Sequence, residues 1–273
     1  MLIHNYFVFD GKSSLDFGVG ISGNGTFRKS HRRVERFTVP GRNGTLTISD
    51  GTFEDVEIVY PAYFVEGFPV RYDALTEWLY SKQGMKRLED TYHPEHFRLG
   101  EFVGDLEPDM GTLNRSGRFE IAFNCDGRKF MKSGERIYIY DDENASYMFE
   151  HPGYGRRVRI INPTMFPSKP ILLFPSLGDF YVNDSKVSLS GGTIYDGEEN
   201  IPDIYFKNRN MHMIAFDSDS HEMYSTENVA TSWNHLTTVS GDPVLYPGEN
   251  YLIFSHPTAG LTYFGIIPRW YKV

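Results

Sequence analysis

The stretch FTVPGRNGTLTISDGTF, residues 37–53, places two turn signals close together. The first is Pro40-Gly41-Arg42-Asn43-Gly44 and the second is Asp50-Gly51. An arginine between glycines is typical of an anion-binding loop, a surface hairpin, or an arm that contacts a neighbouring subunit. Phosphate-binding loops lie at helix N-termini, whereas strand patterns flank this segment on both sides. The sequence therefore favours a turn between two strands.

The residues around these turns follow strand patterns. VERFTV (34–39) alternates apolar and polar residues, which predicts a half-buried strand. TLTIS (45–49) and TFEDVEIVY (52–60) flank Asp50-Gly51, a dipeptide that tolerates the positive φ angles of a type I′ turn. We therefore expect a β-hairpin with Asp50-Gly51 at its turn.

One helix is predicted in PVRYDALTEWLYSKQG (69–84). Its proline suits the first helical turn, and Gly84 suits the position just after the helix. The apolar residues on its predicted buried face are Val70, Ala74, Leu75, Trp78 and Leu79. We expect this helix to cover an apolar face of the N-terminal sheet.

The second half consists almost entirely of short strand patterns separated by turn residues, as in RVRIIN, PILLFP, DFYVND and NYLIFS. Such regular spacing predicts a β-sandwich or a jelly roll. The chain is therefore predicted to be mainly β. It is expected to divide into residues 1–135, with the helix and a hairpin arm, and residues 136–273, a second β-domain.

Composition is typical of a globular protein. Of 273 residues, 40% are apolar and 15% aromatic, and there is a single cysteine. Cys125 therefore has no intramolecular disulfide partner and is predicted to be a buried thiol. The first residues lack a signal-peptide pattern, and no apolar run is long enough to span a membrane, so no membrane insertion is expected.

The net charge of −9 is opposite to that of most nucleic-acid-binding domains. The basic run 28–36 contains Arg33 and Arg36 and is predicted to be a solvated strand or loop, with contact to an acidic partner surface as the alternative. No sequence-specific binding of nucleic acid is expected.

No motif in the sequence indicates catalysis. There is no nucleophile elbow, phosphate loop or dinucleotide fingerprint. His93 and His96 are three residues apart with Pro94 between them, which differs from the spacing of zinc sites on helices. We expect no catalytic residue, no metal and no cofactor. Trp233 and Tyr246 could stack on sugar rings, although core or interface packing is the simpler interpretation.

Several segments together resemble the distal tail protein family of siphophages and related prophages. They are VPGRNGTLTISDGTFEDVEIVYPAYF (39–64), ALTEWLYSKQGMKRLEDTYHPEHFRLGEFVGDL (74–106), INPTMFPSKPILLF (161–174), LYPGENYLIF (245–254) and IIPRWYKV (266–273). Their order along nearly the whole chain, and the closing Pro-Arg-Trp, make the resemblance specific.

The resemblance implies a fold and a role. It implies an N-terminal β-sandwich-like domain that forms a homohexameric ring, and a C-terminal galectin-like β-sandwich without an inserted carbohydrate-binding module. Such a ring is a structural, non-enzymatic hub at the virion tail tip, with a lumen for DNA passage. The implied partners are further copies of the chain (one ring or two back to back), the major tail tube protein, the tape measure protein, the tail-associated baseplate or lysin protein, and receptor-binding proteins.

The site expectations follow from this role. Arg42, Asn43, Arg33 and Arg36 are the candidate subunit-contact residues, because a guanidinium can bind a carboxylate across an interface through two hydrogen bonds. A loop in which Arg42 only caps its own turn is the alternative. A second hypothesis is a carbohydrate-binding adsorption module that uses Trp233 and Tyr246 of the C-terminal domain.

Overall fold

The structure is a computed structural model. It describes residues 4–65, 70–107, 109–110, 117–140, 148–151, 155–174, 178–190, 214–225, 237–255 and 264–273. The chain divides into two compact units: an N-terminal unit, Met1–Lys132 with Val273, and a C-terminal unit, Ser133–Lys272. Both units are mainly β, as predicted.

The N-terminal unit contains the α-helix α1 (Val70–Tyr80) and a 3-10 helix (Ser14–Phe17). Its strands are β1 (Phe7–Phe9), β2 (Lys12–Ser13), β3 (Val19–Ile21), β4 (Glu35–Thr38), β5 (Thr45–Ile48), β6 (Val56–Phe64), β7 (Lys86–Asp90), β8 (His96–Phe102), β9 (Asp109–Met110), β10 (Gly117–Cys125) and β11 (Lys129–Met131). The main sheet has the strand order β2-β1-β7-β8-β10-β6-β3, with β11 paired to β8 and β9 paired to β10.

Strands β6 and β10 are the longest neighbouring pair of this sheet. They pair antiparallel from Val56↔Cys125 to Tyr63↔Arg118, and along each strand every second residue is buried. Because strand side chains alternate between faces, one face of the pair forms a continuous apolar surface. The predicted buried thiol lies on this face, since Cys125 is fully buried and reduced.

Helix α1 covers this apolar face, as the sequence predicted. Leu75, Trp78 and Leu79 are buried, and Trp78 stacks on Phe7 and Phe17 with ring centroids 5.9 Å and 4.5 Å apart. Val70 was also predicted to lie on the buried face of the helix, but its side chain is 81% exposed. Ala74 is exposed as well.

The end of α1 also differs from the prediction. The helix ends at Tyr80, and Gly84 lies beyond it with a φ of 69°. Its positive φ is used in the connection to β7 rather than directly after the helix.

The hairpin predicted at Asp50-Gly51 is wrong. Strand β5 pairs with β4, and the turn between them is formed by residues 39–44. Gly51 has a φ of 85°, whereas Asp50 is not among the residues with positive φ, so the dipeptide does not form a type I′ turn. The Asp50 carboxylate instead accepts hydrogen bonds from the Thr52 amide and hydroxyl, at 2.9 Å and 2.7 Å.

The C-terminal unit consists of two antiparallel sheets. The strands of these sheets are β12 (Tyr138–Tyr140), β13 (Met148–His151), β14 (Gly155–Asn162), β15 (Ile171–Phe174), β16 (Gly178–Val182), β17 (Ser185–Leu189), β18 (Ile214–Asp217), β19 (Glu222–Ser225), β20 (Thr237–Ser240), β21 (Gly248–Ser255) and β22 (Phe264–Ile267). A short last strand, β23 (Tyr271–Lys272), belongs to neither of the two sheets. A 3-10 helix, Lys132–Glu135, precedes them. One sheet has the order β12-β22-β15-β18-β19 and the other β13-β14-β21-β16-β17-β20.

Aromatic rings join these two sheets. Phe174 and Phe264 of the first sheet contact Phe180 of the second, with centroids 5.4 Å and 5.2 Å apart. Phe254 of the second sheet lies 6.0 Å from Phe174. The sheets therefore pack face to face around an aromatic core, in agreement with the β-sandwich prediction.

The closing Pro268-Arg269-Trp270 segment has a structural role within the C-terminal unit. Arg269 adopts a φ of 56°, and its amide donates to the Gly134 carbonyl at 2.7 Å. Its guanidinium binds both carboxylate oxygens of Asp217, with an Nη1–Oδ1 distance of 2.7 Å. Trp270 is buried. The ion pair joins the last segment to the end of β18.

No helix in the described part of the chain combines the length and the apolar character that crossing a membrane requires.

Candidate functional site

A hairpin of the N-terminal unit, residues 31–54, consists almost entirely of exposed residues. We call it the arm. Its base is closed by backbone hydrogen bonds from Glu54 to the His31 carbonyl (2.9 Å) and from Arg33 to the Thr52 carbonyl (3.0 Å). Strands β4 and β5 then form a separate two-stranded sheet. Every residue of these two strands is exposed.

The two faces of the arm differ in polarity. Residues directly opposite each other on an antiparallel pair lie on the same face. The pairs Glu35↔Ile48 and Phe37↔Leu46 define one face, on which Phe37, Leu46 and Ile48 are 47%, 37% and 52% exposed. This result contradicts the half-buried strand predicted at residues 34–39, because the residues that the structure describes leave both faces of β4 exposed.

The opposite face of the arm is polar. It carries the pairs Arg36↔Thr47 and Thr38↔Thr45. The arm is therefore amphipathic, with a solvent-compatible face and an apolar face that the described residues of its own chain leave uncovered.

The tip of the arm contains the turn Pro40-Gly41-Arg42-Asn43-Gly44. The Arg42 amide donates to the Val39 carbonyl at 3.1 Å, and Gly41 has a φ of 81°, so Pro40 and Gly41 form the centre of a type II turn. Gly44 follows with a φ of 80°. The strand-flanked turn expected from the sequence is therefore present, in a hairpin with a different second strand.

The four predicted contact residues all lie on the arm and all are exposed. Arg33 is at the base, Arg36 is on the polar face, and Arg42 and Asn43 are at the tip. Among the described residues, no carboxylate lies within ion-pair distance of Arg36 or Arg42. Both guanidinium groups are therefore available to a second molecule.

A buried polar cluster lies at the turn between β7 and β8. The Asp90 carboxylate accepts hydrogen bonds from the Tyr60 hydroxyl (3.0 Å) and the His93 amide (2.9 Å), and it lies 3.0 Å from His93 Nδ1. Burial lowers the pKa of His93, and the positive charges of Lys129 and Arg98 add to this effect, while Asp90 opposes it.

This cluster also gives a structural role to His93, the first histidine of the predicted pair. His93 supports the turn through Asp90, and its ring lies 4.7 Å from that of Phe27, in the segment that leads into the arm. Within the described ranges, no group of three or more His, Cys, Asp or Glu side chains is arranged to hold a metal ion.

The candidate sugar-contact residues have different outcomes. Trp233 lies outside the described residues. Tyr246 is 57% exposed, and its backbone is held by Asn250 through hydrogen bonds of 2.7 Å in both directions. Among the described residues of the C-terminal unit, Tyr246 is the only exposed Phe, Tyr or Trp side chain.

The apolar face of the arm is a candidate contact surface that the sequence did not predict. Its signal was present, since Phe37, Leu46 and Ile48 follow the period of two that a strand imposes. The same period predicts a half-buried strand, because alternation shows that a face is apolar and does not show what covers it.

The fold is similar to that of a solved phage protein. The structure described as "SPP1 Dit (gp 19.1) Protein, a Paradigm of Hub Adsorption Apparatus in Gram-positive Infecting Phages" matches with a TM-score of 0.59 and 12% sequence identity, over 96% of this chain and 97% of that chain. The similarity spans both units. The chain therefore has a Dit-like fold, as the resemblance to distal tail proteins implied.

Two further matches are to the baseplate of phage P2 in its activated conformation, with Ca and with Sr. Their TM-scores are 0.43 and 0.46, each at 11% identity and covering 93% of this chain and 99% of that chain. No family model and no curated protein sequence matches the chain.

Proposed function

We propose that this protein is a structural hub of a phage tail tip, in which the arm of each subunit packs on the next subunit. The observation that carries the proposal is the uncovered apolar face of the arm in a chain with the Dit fold. The role itself is the one described for SPP1 Dit, a hub of an adsorption apparatus.

The physics of the arm favours a second copy as the molecule that covers it. An isolated two-stranded hairpin is marginally stable in water, and an exposed apolar strand face promotes association. Phe37, Leu46 and Ile48 are therefore expected to be removed from water in the functional state. Identical subunits that each extend an arm to the next form a head-to-tail contact, which closes into a ring when the rotation permits.

Arg42 is the proposed polar contact of this interface. It is exposed at the arm tip, where a planar guanidinium can bind a carboxylate of the neighbouring subunit through two hydrogen bonds. Arg33, Arg36 and Asn43 are proposed to make further contacts along the arm.

The remaining features of the assembly follow from the distal tail resemblance and are proposals as well. The ring is hexameric, lies at the virion tail tip, and has a lumen through which DNA passes. It joins the tail tube and tape measure proteins to the tail-associated baseplate protein and anchors receptor-binding proteins. In this proposal the protein is non-enzymatic, residues 1–135 form the ring, and residues 136–273 form a galectin-like outer domain.

Light scattering coupled to size-exclusion chromatography, with negative-stain imaging, tests this function. We expect a ring with a central hole whose mass is a multiple of the 31.4 kDa chain. Arg42→Ala should raise the concentration needed for assembly and leave the monomer folded. Arg136→Ala, which removes an exposed arginine outside the arm, is the matched control. A wild-type protein that stays monomeric at high concentration would refute the proposal.

Glycan binding by the C-terminal unit is the second candidate, and it depends on the exposure of Tyr246. An exposed aromatic ring can stack on a sugar face. Host cell-wall pulldown with the full chain, compared with Tyr246→Ala and Trp233→Ala, tests it. Equal binding by the wild type and both variants, or no binding at all, would eliminate this site.

A further inference from the structure

Two Asn-Gly-Thr tripeptides occur in this chain, and the structure places them in different surroundings. One is Asn24-Gly25-Thr26, in the segment between β3 and the arm, and the other is Asn43-Gly44-Thr45, at the arm tip. The reacting Asn-Gly pair and the residue after it are identical at the two sites, so the surroundings that the fold provides are the main difference between them.

The chemistry in question is spontaneous deamidation. The backbone nitrogen of the glycine attacks the side-chain carbonyl carbon of the asparagine, a new C–N bond forms, and ammonia leaves with the proton of the peptide nitrogen. Water then opens the resulting succinimide at either carbonyl, which yields aspartate or isoaspartate. Glycine leaves this attack unhindered because it has no Cβ, and asparagine is among the thermolabile residues of proteins.

The Asn24-Gly25 peptide is held in a packed turn. A Cβ on Gly25 would lie 2.5 Å from the Val59 carbonyl oxygen, so the backbone is in close contact with strand β6. Thr26 is buried, and its hydroxyl and amide donate to the Gly23 carbonyl at 2.9 Å and 3.3 Å. The rotation that brings the glycine nitrogen to the asparagine side chain must break these contacts.

The Asn43-Gly44 peptide has none of these restraints among the described residues. Asn43 and Gly44 lie between the two arm strands rather than within them, and the two sites differ in backbone packing rather than in exposure, since Asn24, Gly25, Asn43 and Gly44 are all exposed. A Cβ on Gly44 would meet nothing within 4 Å. The backbone at this position is therefore free to approach the geometry of succinimide formation.

We propose that Asn43 is a spontaneous deamidation site that converts the tip of the arm from a basic to a neutral surface. The new carboxylate is adjacent to Arg42 and pairs with its guanidinium. An isoaspartate product also adds a methylene to the backbone of the hairpin loop. The consequence for assembly rests on the proposed function, in which the arm contacts a neighbouring subunit. The new carboxylate then competes with the neighbour's carboxylate for the Arg42 guanidinium. Chains that remain unassembled for longer therefore accumulate more of the product and assemble less readily.

Peptide mapping by mass spectrometry after incubation of the full chain at neutral pH tests the site. Trypsin separates the two asparagines, because it cleaves after Arg28 and after Arg42. We expect the acidic product to form at Asn43 faster than at Asn24 by about tenfold or more, which corresponds to about 1.4 kcal/mol in activation free energy. Equal rates, or faster conversion at Asn24, would overturn the proposal.

Two controls separate the fold from the sequence. In urea the two sites should convert at similar rates, and a difference that persists there would show that structure does not cause it. Asn43→Gln should remove most of the acidic product from the folded chain, and a product yield unchanged by Asn43→Gln would also contradict the assignment.

Assembly provides a separate readout. Asn43→Asp should require a higher concentration than wild type to assemble, by about tenfold, the factor expected for weakening one charged hydrogen bond at the contact. Asn24→Asp, with the same charge change, should assemble as wild type. Wild-type assembly by Asn43→Asp would overturn the predicted consequence. A wild-type chain that never assembles would refute the proposed function. It would not refute the deamidation site at Asn43, which peptide mapping tests separately.

Discussion

Removing the apolar side chains of the arm should weaken self-association without unfolding the protein. The perturbation is the double variant Phe37→Ser/Ile48→Ser. These side chains are 47% and 52% exposed, so about half of each remains to be covered by a neighbour. Full burial of such a side chain stabilises by about 1.5–3 kcal/mol, so each covered half contributes about 1 kcal/mol.

The two substitutions together therefore cost about 2 kcal/mol at each contact, which weakens the pairwise association constant about 30-fold. In a head-to-tail ring every subunit both extends an arm and receives one, so the loss occurs at every contact. The unfolding midpoint of the monomer should change little, because exposed side chains contribute little to the stability of their own fold.

A dilution series followed by sedimentation velocity measures the effect. The control is Thr38→Ser/Thr47→Ser, which introduces the same residue into the same two strands on the polar face. The reasoning is refuted if Phe37→Ser/Ile48→Ser assembles over the same concentration range as wild type. It is equally refuted if both double variants weaken assembly to the same extent, because the arm's two faces would then not differ.

Three further predictions concern stability. Leu79→Ala should lower the free energy of unfolding in urea by about 2–5 kcal/mol because Leu79 is fully buried, whereas Val70→Ala, at an 81% exposed position, should be nearly neutral. Burial alone would raise the pKa of Asp217, but hydrogen bonds and charge from Arg269 lower it. The ion pair should therefore stabilise the fold above pH ~4 and be lost as pH falls through the lower folded pKa, and Asp217→Asn should remove this acid-side dependence of the unfolding free energy. The pKa of His93 is lowered, chiefly by burial, so stability should fall as pH drops below about 6.5, where the unfolded chain takes up a proton first, and His93→Gln should flatten that part of the profile.

Local patterns determined much of the fold. The helix between β6 and β7 was predictable because the apolar residues Leu75, Trp78 and Leu79 recur with the period of a helix. The strands of the C-terminal unit were predictable because turn residues separate short apolar runs. These features depend on interactions within a few residues, so they are visible in the sequence.

Strand pairing was not determined locally. The sequence allowed residues 45–49 to pair with either the preceding or the following strand, and both turns carried suitable residues. In the structure the turn at 39–44 joins the two paired strands. The Thr52 amide donates to the Asp50 carboxylate, and the Arg33 amide donates to the Thr52 carbonyl across the base of the arm, so residues 50–52 do not form a hairpin turn. Which pairing forms depends on the difference in free energy between the two complete strand pairs, and a single turn signal does not determine that difference.

The candidate site shows the same division. The sequence by itself determined that residues 37–53 form strands and turns with an arginine at an exposed loop, because alternation and turn residues act over a few positions. Only the tertiary structure decided that both arm strands lie off the main sheet. It also decided that Gly25, after Asn24, packs against β6, whereas Gly44, after Asn43, has open space around it among the described residues. Burial depends on which distant segments come to lie against a residue, and the rest of the fold sets that arrangement.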